Sequence, residues 1–370
     1  MKKNAYSIKI IISLFVFFVI SLLSVYSAKS ISSESLGNIF FKQSIFYLVG
    51  VIVLLIGFFY KRVVVKYSYL WYLGFVFLLF VLLFLGTSIN GSRCWLILGP
   101  ISFQPSEFMK IALILAIATV LEKYKYKNRF NFKREAGMLF KVFLLLLIPS
   151  VLTFLEPDTG VVIIYFIITI GMILYRGINK KWYILVMVIL TLLGGGITYL
   201  YVFQHDFLIE LLGSSLFYRI DRLLNWSNQS GYQLENSLVA IGSSGLFGFG
   251  FNNNLLYFPE ASTDFIFTTF SSNFGFIGSV ILIIFIILFD ISIVNLCKKK
   301  VKKYNEYILI GIFCMILYQQ VQNISMTIGL LPITGITLPF ISYGGSSLIS
   351  YMFITGIVLR ISYDSRHYLN

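Results

Sequence analysis

Apolar residues fall into ten long runs, at about 8–28, 44–60, 68–86, 106–122, 139–155, 160–175, 182–203, 264–291, 307–329 and 343–362. Each is near the length that a helix needs to cross a bilayer, about 20 residues, and short polar or basic stretches separate them. The pattern predicts an all-α, polytopic membrane protein of about ten transmembrane helices, forming one membrane domain over residues 1–370. The first run is too long, and too poorly followed by a small-residue cleavage site, to read as a removable signal, so it counts as span one. Most connections are short, but the segment between spans seven and eight, about 204–262, is long. Within it "YQLENSLVAIGSSGLFGFGF" sets Leu234, Leu238 and Ile241 at helical spacing and ends on Gly245, Gly248 and Gly250. It reads as an ordered cap on the membrane face. Between spans nine and ten, "GLLPITGITLPFISYGGSS" carries prolines and glycines among apolar residues. That suits a re-entrant or cavity-lining loop, because non-helical backbone at membrane depth needs protein or water around it.

Composition agrees with the pattern, and charge adds an orientation. Hydrophobic residues make up 58% of the chain and charged residues 12%, far from a soluble globular balance. Lys and Arg are retained on the cytoplasmic side. With the N-terminus inside, most of the 29 basic residues fall on that side, in clusters such as Lys61–Lys66, Lys123–Lys141 and Lys298–Lys303. The exceptions are Lys29, Lys42, Arg93, Lys110, Arg219 and Arg222. Both termini are then cytoplasmic and the 204–262 loop is extracellular. The formal charge of +14 is a topology signal and gives no reason to expect nucleic-acid binding. Cys94, Cys297 and Cys314 are scattered, and His205 and His367 add no ligand spacing, so neither a disulfide framework nor a zinc site is indicated.

The candidates for chemistry are polar residues at the outer ends of these runs. Asp264, in "YFPEASTDFIF", has two readings. It is either a first-turn carboxylate stabilised by the helix dipole, or a general base partly desolvated by Phe265 and Phe267. Glu107 and Lys110 in "QPSEFMK" sit three residues apart on one helix face and can pair. Ionisable groups inside a span also cost on the order of 3 kcal/mol, which makes them functional candidates. Asp158 in "FLEPDTGVV" either caps span six or belongs to a site. Arg219 and Arg222 in "FYRIDRLLNW" either snorkel to the interface or grip an anionic headgroup or pyrophosphate. Trp95 is an interfacial anchor on the plain reading.

Taken together these segments resemble the SEDS family (shape, elongation, division and sporulation), which includes RodA and FtsW. The resemblance runs nearly end to end through "VYSA", Gln43, "NGSRCW", "FQPSEFMKIALILA", "EPDTG", "GYQLENSLVAIGSSGLFGFGF", "PEASTDFIF" and "LPITGITLPFISYGGSS". It implies a peptidoglycan glycosyltransferase that polymerises lipid II on the outer face of the bacterial cytoplasmic membrane, usually with a class B penicillin-binding protein. On the motif positions Asp264 is the catalytic base of an inverting transfer that expels undecaprenyl pyrophosphate. Trp95, Glu107, Lys110, Asp158, Arg219, Arg222, Gln233, Ser237, Ser342 and Ser346 fall at the substrate. Arg222, Arg219, Lys110 or a divalent cation, magnesium or manganese, would stabilise the leaving group. Relatives commonly carry His where this chain has Ser262, and paired Glu where it has Ser272 and Asn273, a change that bears on any metal site there. The short C-terminus after Arg360 and "NISMTIGLLPITGI" lean toward a RodA type. The rival classes are a flippase for the lipid-linked precursor and a non-catalytic scaffold for a penicillin-binding protein.

Overall fold

The computed structural model describes residues 5–28, 37–89, 92–98, 101–124, 132–204, 207, 209–210, 231–253, 256–299 and 301–367. Ten long helices coincide with the ten apolar runs: α1 (Ala5–Ala28), α2 (Gly37–Lys66), α3 (Ser68–Leu85), α4 (Pro105–Lys123), α5 (Phe132–Leu155), α6 (Thr159–Arg176), α7 (Lys180–Phe203), α9 (Ile266–Cys297), α10 (Lys303–Thr327) and α11 (Gly345–His367). A short helix, α8 (Tyr232–Ser243), lies in the long loop, where the helical spacing was read. The all-α pattern has one small addition. Strands β1 (Thr87–Ile89), β2 (Ser92–Leu98) and β3 (Ile101–Phe103) form an antiparallel sheet between α3 and α4. β2 alternates sides, with Cys94 buried and Arg93 exposed, the period-2 signature of a half-buried strand.

Among the described residues nine helices are long and apolar enough to cross a membrane. The tenth, α4, carries Glu107, Lys110, Glu122 and Lys123 and is buried over most of its length. It packs against α3, α5, α6, α10 and α11, so Glu107 and Lys110 face protein instead of lipid. Lipid tails give helices no hydrophobic reason to associate, so close packing through small residues has to hold such a bundle. α2 and α11 cross in that way. A Cβ on Gly356 would stand 2.1 Å from the Leu54 carbonyl oxygen, and one on Gly57 would stand 2.3 Å from that of Phe353. α7 is exposed along its length.

Two breaks in helical geometry shape the outer end. Gly275 interrupts α9 with φ +64°, and residues 245–250 lie across the break. There Phe249 N and Gly250 N donate to the carbonyls of Ser272 and Asn273, at 2.9 and 3.1 Å. Phe276 N and Ile277 N donate to the carbonyls of Gly245 and Leu246, at 3.0 and 3.1 Å. The four backbone groups beside the kink are thereby satisfied by the extracellular loop. The second break is the segment between α10 and α11, which dips into the bundle as the sequence suggested. Its tip, Phe340, packs on Phe17, Phe289 and Tyr351, with ring centroids 5.3–5.8 Å apart, and its carbonyl accepts from the Tyr47 hydroxyl. Phe17 lies eleven residues below the outer end of α1, a depth of about 16 Å at the helical rise.

Only glycine fits at residue 275: φ is positive, and a Cβ there would lie 2.3 Å from Gly248 N. Gly275→Ala should destabilise the protein by about 2 kcal/mol or more through strain and overpacking. Gly242→Ala, in α8 with open space around its Cβ, should be neutral or slightly stabilising. Thermal unfolding of the detergent-purified variants checks both, and equal melting temperatures would remove the kink from the fold's requirements.

Candidate active site

The turn Pro259–Asp264 leads into α9 and is held from three directions. Thr263 N and Phe265 N donate to the Glu260 carbonyl, at 3.2 and 3.0 Å, and Thr269 Oγ1 donates to the Ala261 carbonyl at 2.8 Å. From the re-entrant segment, Ser342 Oγ donates to the Thr263 carbonyl at 2.7 Å and Tyr343 N to the Ser262 carbonyl at 2.8 Å. From α10, Asn323 Nδ2 donates to the carbonyls of Asp264 and Ile336, both at 2.8 Å. The backbone at Asp264 is thus fixed while its side chain is left for other work.

That side chain does not cap α9. The N-cap position is Phe265, without a side-chain bond, and Asp264 lies two residues before the helix. A Cβ on Gly335 would come 3.5 Å from Asp264 Oδ2, so a glycine with φ +71° lets the re-entrant segment pass beside the carboxylate. Burial, followed by the nearby charges of Glu260 and Asp158, pushes the Asp264 carboxyl up to about 7. A carboxylate of that basicity suits proton abstraction near neutral pH.

A second cluster lies at the start of α4 and in the turn between α5 and α6, and its Asp158 acts on Asp264. Lys110 is fully buried, 2.7 Å from Glu107 Oε2 and 5.4 Å from the centre of the Tyr351 ring. The Tyr351 hydroxyl accepts from Gln319 Nε2 at 2.7 Å. Asp158 does cap α6, accepting from Val161 N at 3.2 Å through Oδ1, and it also accepts from Gln104 Nε2 at 3.2 Å through Oδ2. Burial raises its carboxyl to about 6; Glu107 adds to the rise, while the Val161 N–H, Lys110 and Gln104 oppose it. Asp158 and the Glu107–Lys110 pair each make a local structural bond; the pair acts on Asp158, and Asp158 in turn acts on Asp264.

The remaining expected residues fall into two groups. Ser346 accepts from Gln104 N at 3.0 Å and donates to the Ser102 carbonyl at 3.2 Å, while Ser342 also accepts from Leu338 N at 2.8 Å. Ser237 bridges Thr268 Oγ1, at 2.6 Å, and the Thr327 carbonyl, at 2.9 Å, and Gln233 donates to the Pro259 carbonyl at 3.2 Å. These four tie α8, β3, α4, α9 and α10 together around the rim. Trp95 sits on β2, where Thr87 Oγ1 donates to its carbonyl at 3.0 Å. Strand alternation turns its neighbour Cys94 inward, toward Asp158, Glu156 and Glu107. Arg219 and Arg222 lie outside the described residues. Sequence reasoning missed Gln104, Cys94, Glu156, Tyr351 and Gly335. Of these only Glu156, beside Asp158 in "LEPDTG", carried a local signal.

The divalent cation raised by the resemblance does not fit where relatives carry paired glutamates. Asn273 Oδ1 accepts from Ser27 Oγ at 2.9 Å and its Nδ2 donates to the Thr269 carbonyl at 2.6 Å, while Ser272 is buried with its carbonyl bonded to Phe249 N. Among the described residues no group of three or more His, Cys, Asp or Glu is placed to hold a metal ion.

The family model described as cell cycle protein, covering FtsW, RodA and SpoVE, matches residues 7–367. A probable peptidoglycan glycosyltransferase FtsW of Coxiella burnetii is 37% identical over 310 residues, which is 81% of this chain and 79% of that protein. The crystal structure of the rod shape determining protein RodA of Thermus thermophilus is similar over 96% of both chains, with TM-score 0.65 and 25% identity. A chain from a structure of a peptidoglycan synthase complex, described as coordinating polymerisation and crosslinking, shares the fold over 98% of this chain and 97% of its own, with TM-score 0.76 and 24% identity. The names reach both the FtsW and the RodA branches, so the lean toward a RodA type decides nothing. Matched by the family model almost from end to end, the chain belongs to the FtsW/RodA/SpoVE family.

Proposed function

We propose that the chain is a peptidoglycan glycosyltransferase that polymerises lipid II, with Asp264 as the general base. The observation that carries the reading is the Asp264 carboxylate: it is fixed through its backbone, engaged in no cap, and raised to about 7 at the rim of a charged cluster. The curated relative named as a peptidoglycan glycosyltransferase supports the activity. The 4-hydroxyl of the acceptor sugar is a weak nucleophile. Asp264 takes its proton as the oxygen attacks the anomeric carbon of the donor, and undecaprenyl pyrophosphate leaves with the bonding electrons. Single displacement inverts the anomeric centre and needs no covalent sugar on the enzyme.

Lys110 has a narrower part than a direct phosphate contact. Fully buried and paired with Glu107, it holds positive potential behind Asp158 and limits the negative charge at that end of the cavity. The guanidinium fork that would meet the pyrophosphate falls to Arg222, assisted by Arg219. The similarity to a chain of a synthase complex supports a class B penicillin-binding protein as partner. Membrane lipids surround the exposed apolar faces of α2 and α7. The site faces the outside of the cytoplasmic membrane, an orientation supported by the basic clusters at the opposite helix ends. The flippase reading fares worse, because the tip of the re-entrant segment plugs the bundle with the rings of Phe17, Phe289 and Phe340.

Asp264→Asn should fold and lose polymerisation by about 10²-fold or more. The wild-type rate should rise as pH passes about 7, because only the ionised carboxylate accepts a proton. Glycan-length gels with purified protein and lipid II across pH 5.5–8 test both, and normal synthesis by folded Asp264→Asn would remove the base.

Orientation is checked in a background with its three cysteines replaced by serine. Phe247→Cys, on the exposed loop, should react with an impermeant maleimide in intact cells, whereas Lys298→Cys should react only after permeabilisation. The reverse pattern would put the site in the cytoplasm.

For the leaving group, Arg222→Lys should lose much of the rate although it keeps the charge, because lysine lacks the planar two-pronged donor set. Wild-type initial rates for Arg222→Lys across a lipid II titration would take Arg222 out of the site.

A further inference from the structure

Glu156 is a carboxylate near the site that the mechanism above leaves without a task. It sits in the turn between α5 and α6, with 0% of its surface exposed. Its backbone is fixed, since its N–H donates to the carbonyls of Leu152 and Thr153, both at 3.2 Å, and its carbonyl accepts from Arg93 N at 3.2 Å. Neither side-chain oxygen has a hydrogen-bond partner among the described residues. Two residues on, Asp158 has both oxygens engaged.

The groups around Glu156 come from three elements. Asp158 shares its turn and is the charged group that acts on it. Cys94 faces it from β2 and the Tyr165 hydroxyl from α6, the latter donating to the Ser106 carbonyl at 3.2 Å. From α4, Lys110 is committed to Glu107, and both act on Asp158. Among the described residues no cation therefore compensates Glu156. An ionised carboxylate buried without donors costs several kcal/mol, so such a group takes up a proton.

We propose that Glu156 is held as a neutral acid and is a positioning residue for glycosyl transfer, orienting Asp158 and keeping a second negative charge away from the pyrophosphate end of the cavity. Its carboxyl O–H supplies a donor directed at Asp158 through one water. Ionisation would remove that donor and set two carboxylates side by side, which weakens attraction for an anionic donor substrate. Burial, with Asp158 nearby, pushes Glu156 up to about 8, so the loss falls just above physiological pH. This role rests on the glycosyltransferase reading, whereas the protonation state does not.

Two measurements test the proposal separately. Infrared spectra of the full-length protein in detergent, with isotope-labelled glutamate carboxyls, should contain a protonated-acid carbonyl band at pH 7 that fades through pH 8 and is missing from Glu156→Gln. Lipid II polymerisation should fall about fivefold between pH 7 and 9 in the wild type, because the roughly tenfold loss of protonated Glu156 is offset about twofold by the fuller ionisation of Asp264, and the fall should come mainly through a higher KM. In Glu156→Gln, which cannot ionise, the same ratio should stay within about twofold. An absent band at pH 7 overturns the neutral acid. A band with the same alkaline fall in both proteins overturns the positioning role, leaving Glu156 as packing. A wild type that shows the band but never polymerises lipid II at any pH overturns the glycosyltransferase reading, and the positioning role with it.

Discussion

In a bilayer every backbone N–H and C=O must be satisfied by the protein, and this constraint governs the outer third of the molecule. The chain breaks helical geometry there twice, at Gly275 in α9 and along the segment that dips to Phe340. Both breaks are closed by hydrogen bonds from elsewhere: residues 245–250 at the kink, and Tyr47, Asn323, Ser21 and Gln43 at the dip. Asp264 lies between them. Its turn is bonded to the re-entrant segment on one side and leads into the kinked helix on the other, so its position results from the two repairs together.

The electrostatic character of the charged cluster follows from the same economy of partners. Lys110 is a fully buried cation of the cluster and Glu107 occupies it. Asp158 is served by a backbone amide and by Gln104, and Asp264 and Glu156 are left to the field of their neighbours. Burial raises all three carboxyls, to about 6 for Asp158, which alone of them receives donors among the described residues, and to about 7 and 8 for Asp264 and Glu156. Groups whose environments push their basicity apart can divide acid and base roles among themselves.

The helices were legible because each apolar run declares itself locally, and α8 was legible because Leu234 and its neighbours repeat at helical spacing. The three-stranded sheet was not, since "SRCWLIL" is short and its strand partners are no more strongly patterned. Of the site, Asp264, Glu107, Lys110 and Asp158 stood out as charges where charges are expensive. Gln104, Tyr351 and Gly335 did not. An amide, a phenol and a glycine are ordinary in a loop or helix, and their place beside the carboxylates arises from contacts between segments far apart in the chain. Ser237, Ser342 and Ser346 were marked by the resemblance, and their hydroxyls proved to be bonded into the rim.

The repair of the α9 kink also has a bearing on biosynthesis. The donors and acceptors that close the break belong to residues 245–250, which leave the ribosome before α9 does. When α9 enters the membrane its complement is already made and, in the proposed orientation, already translocated. The interrupted helix can then be completed as it arrives, without waiting for any later part of the chain. The re-entrant segment has no such advantage: Tyr47 and Phe17 precede it, but Tyr351 follows. The site therefore closes last from the side of α11, after the kink is in place.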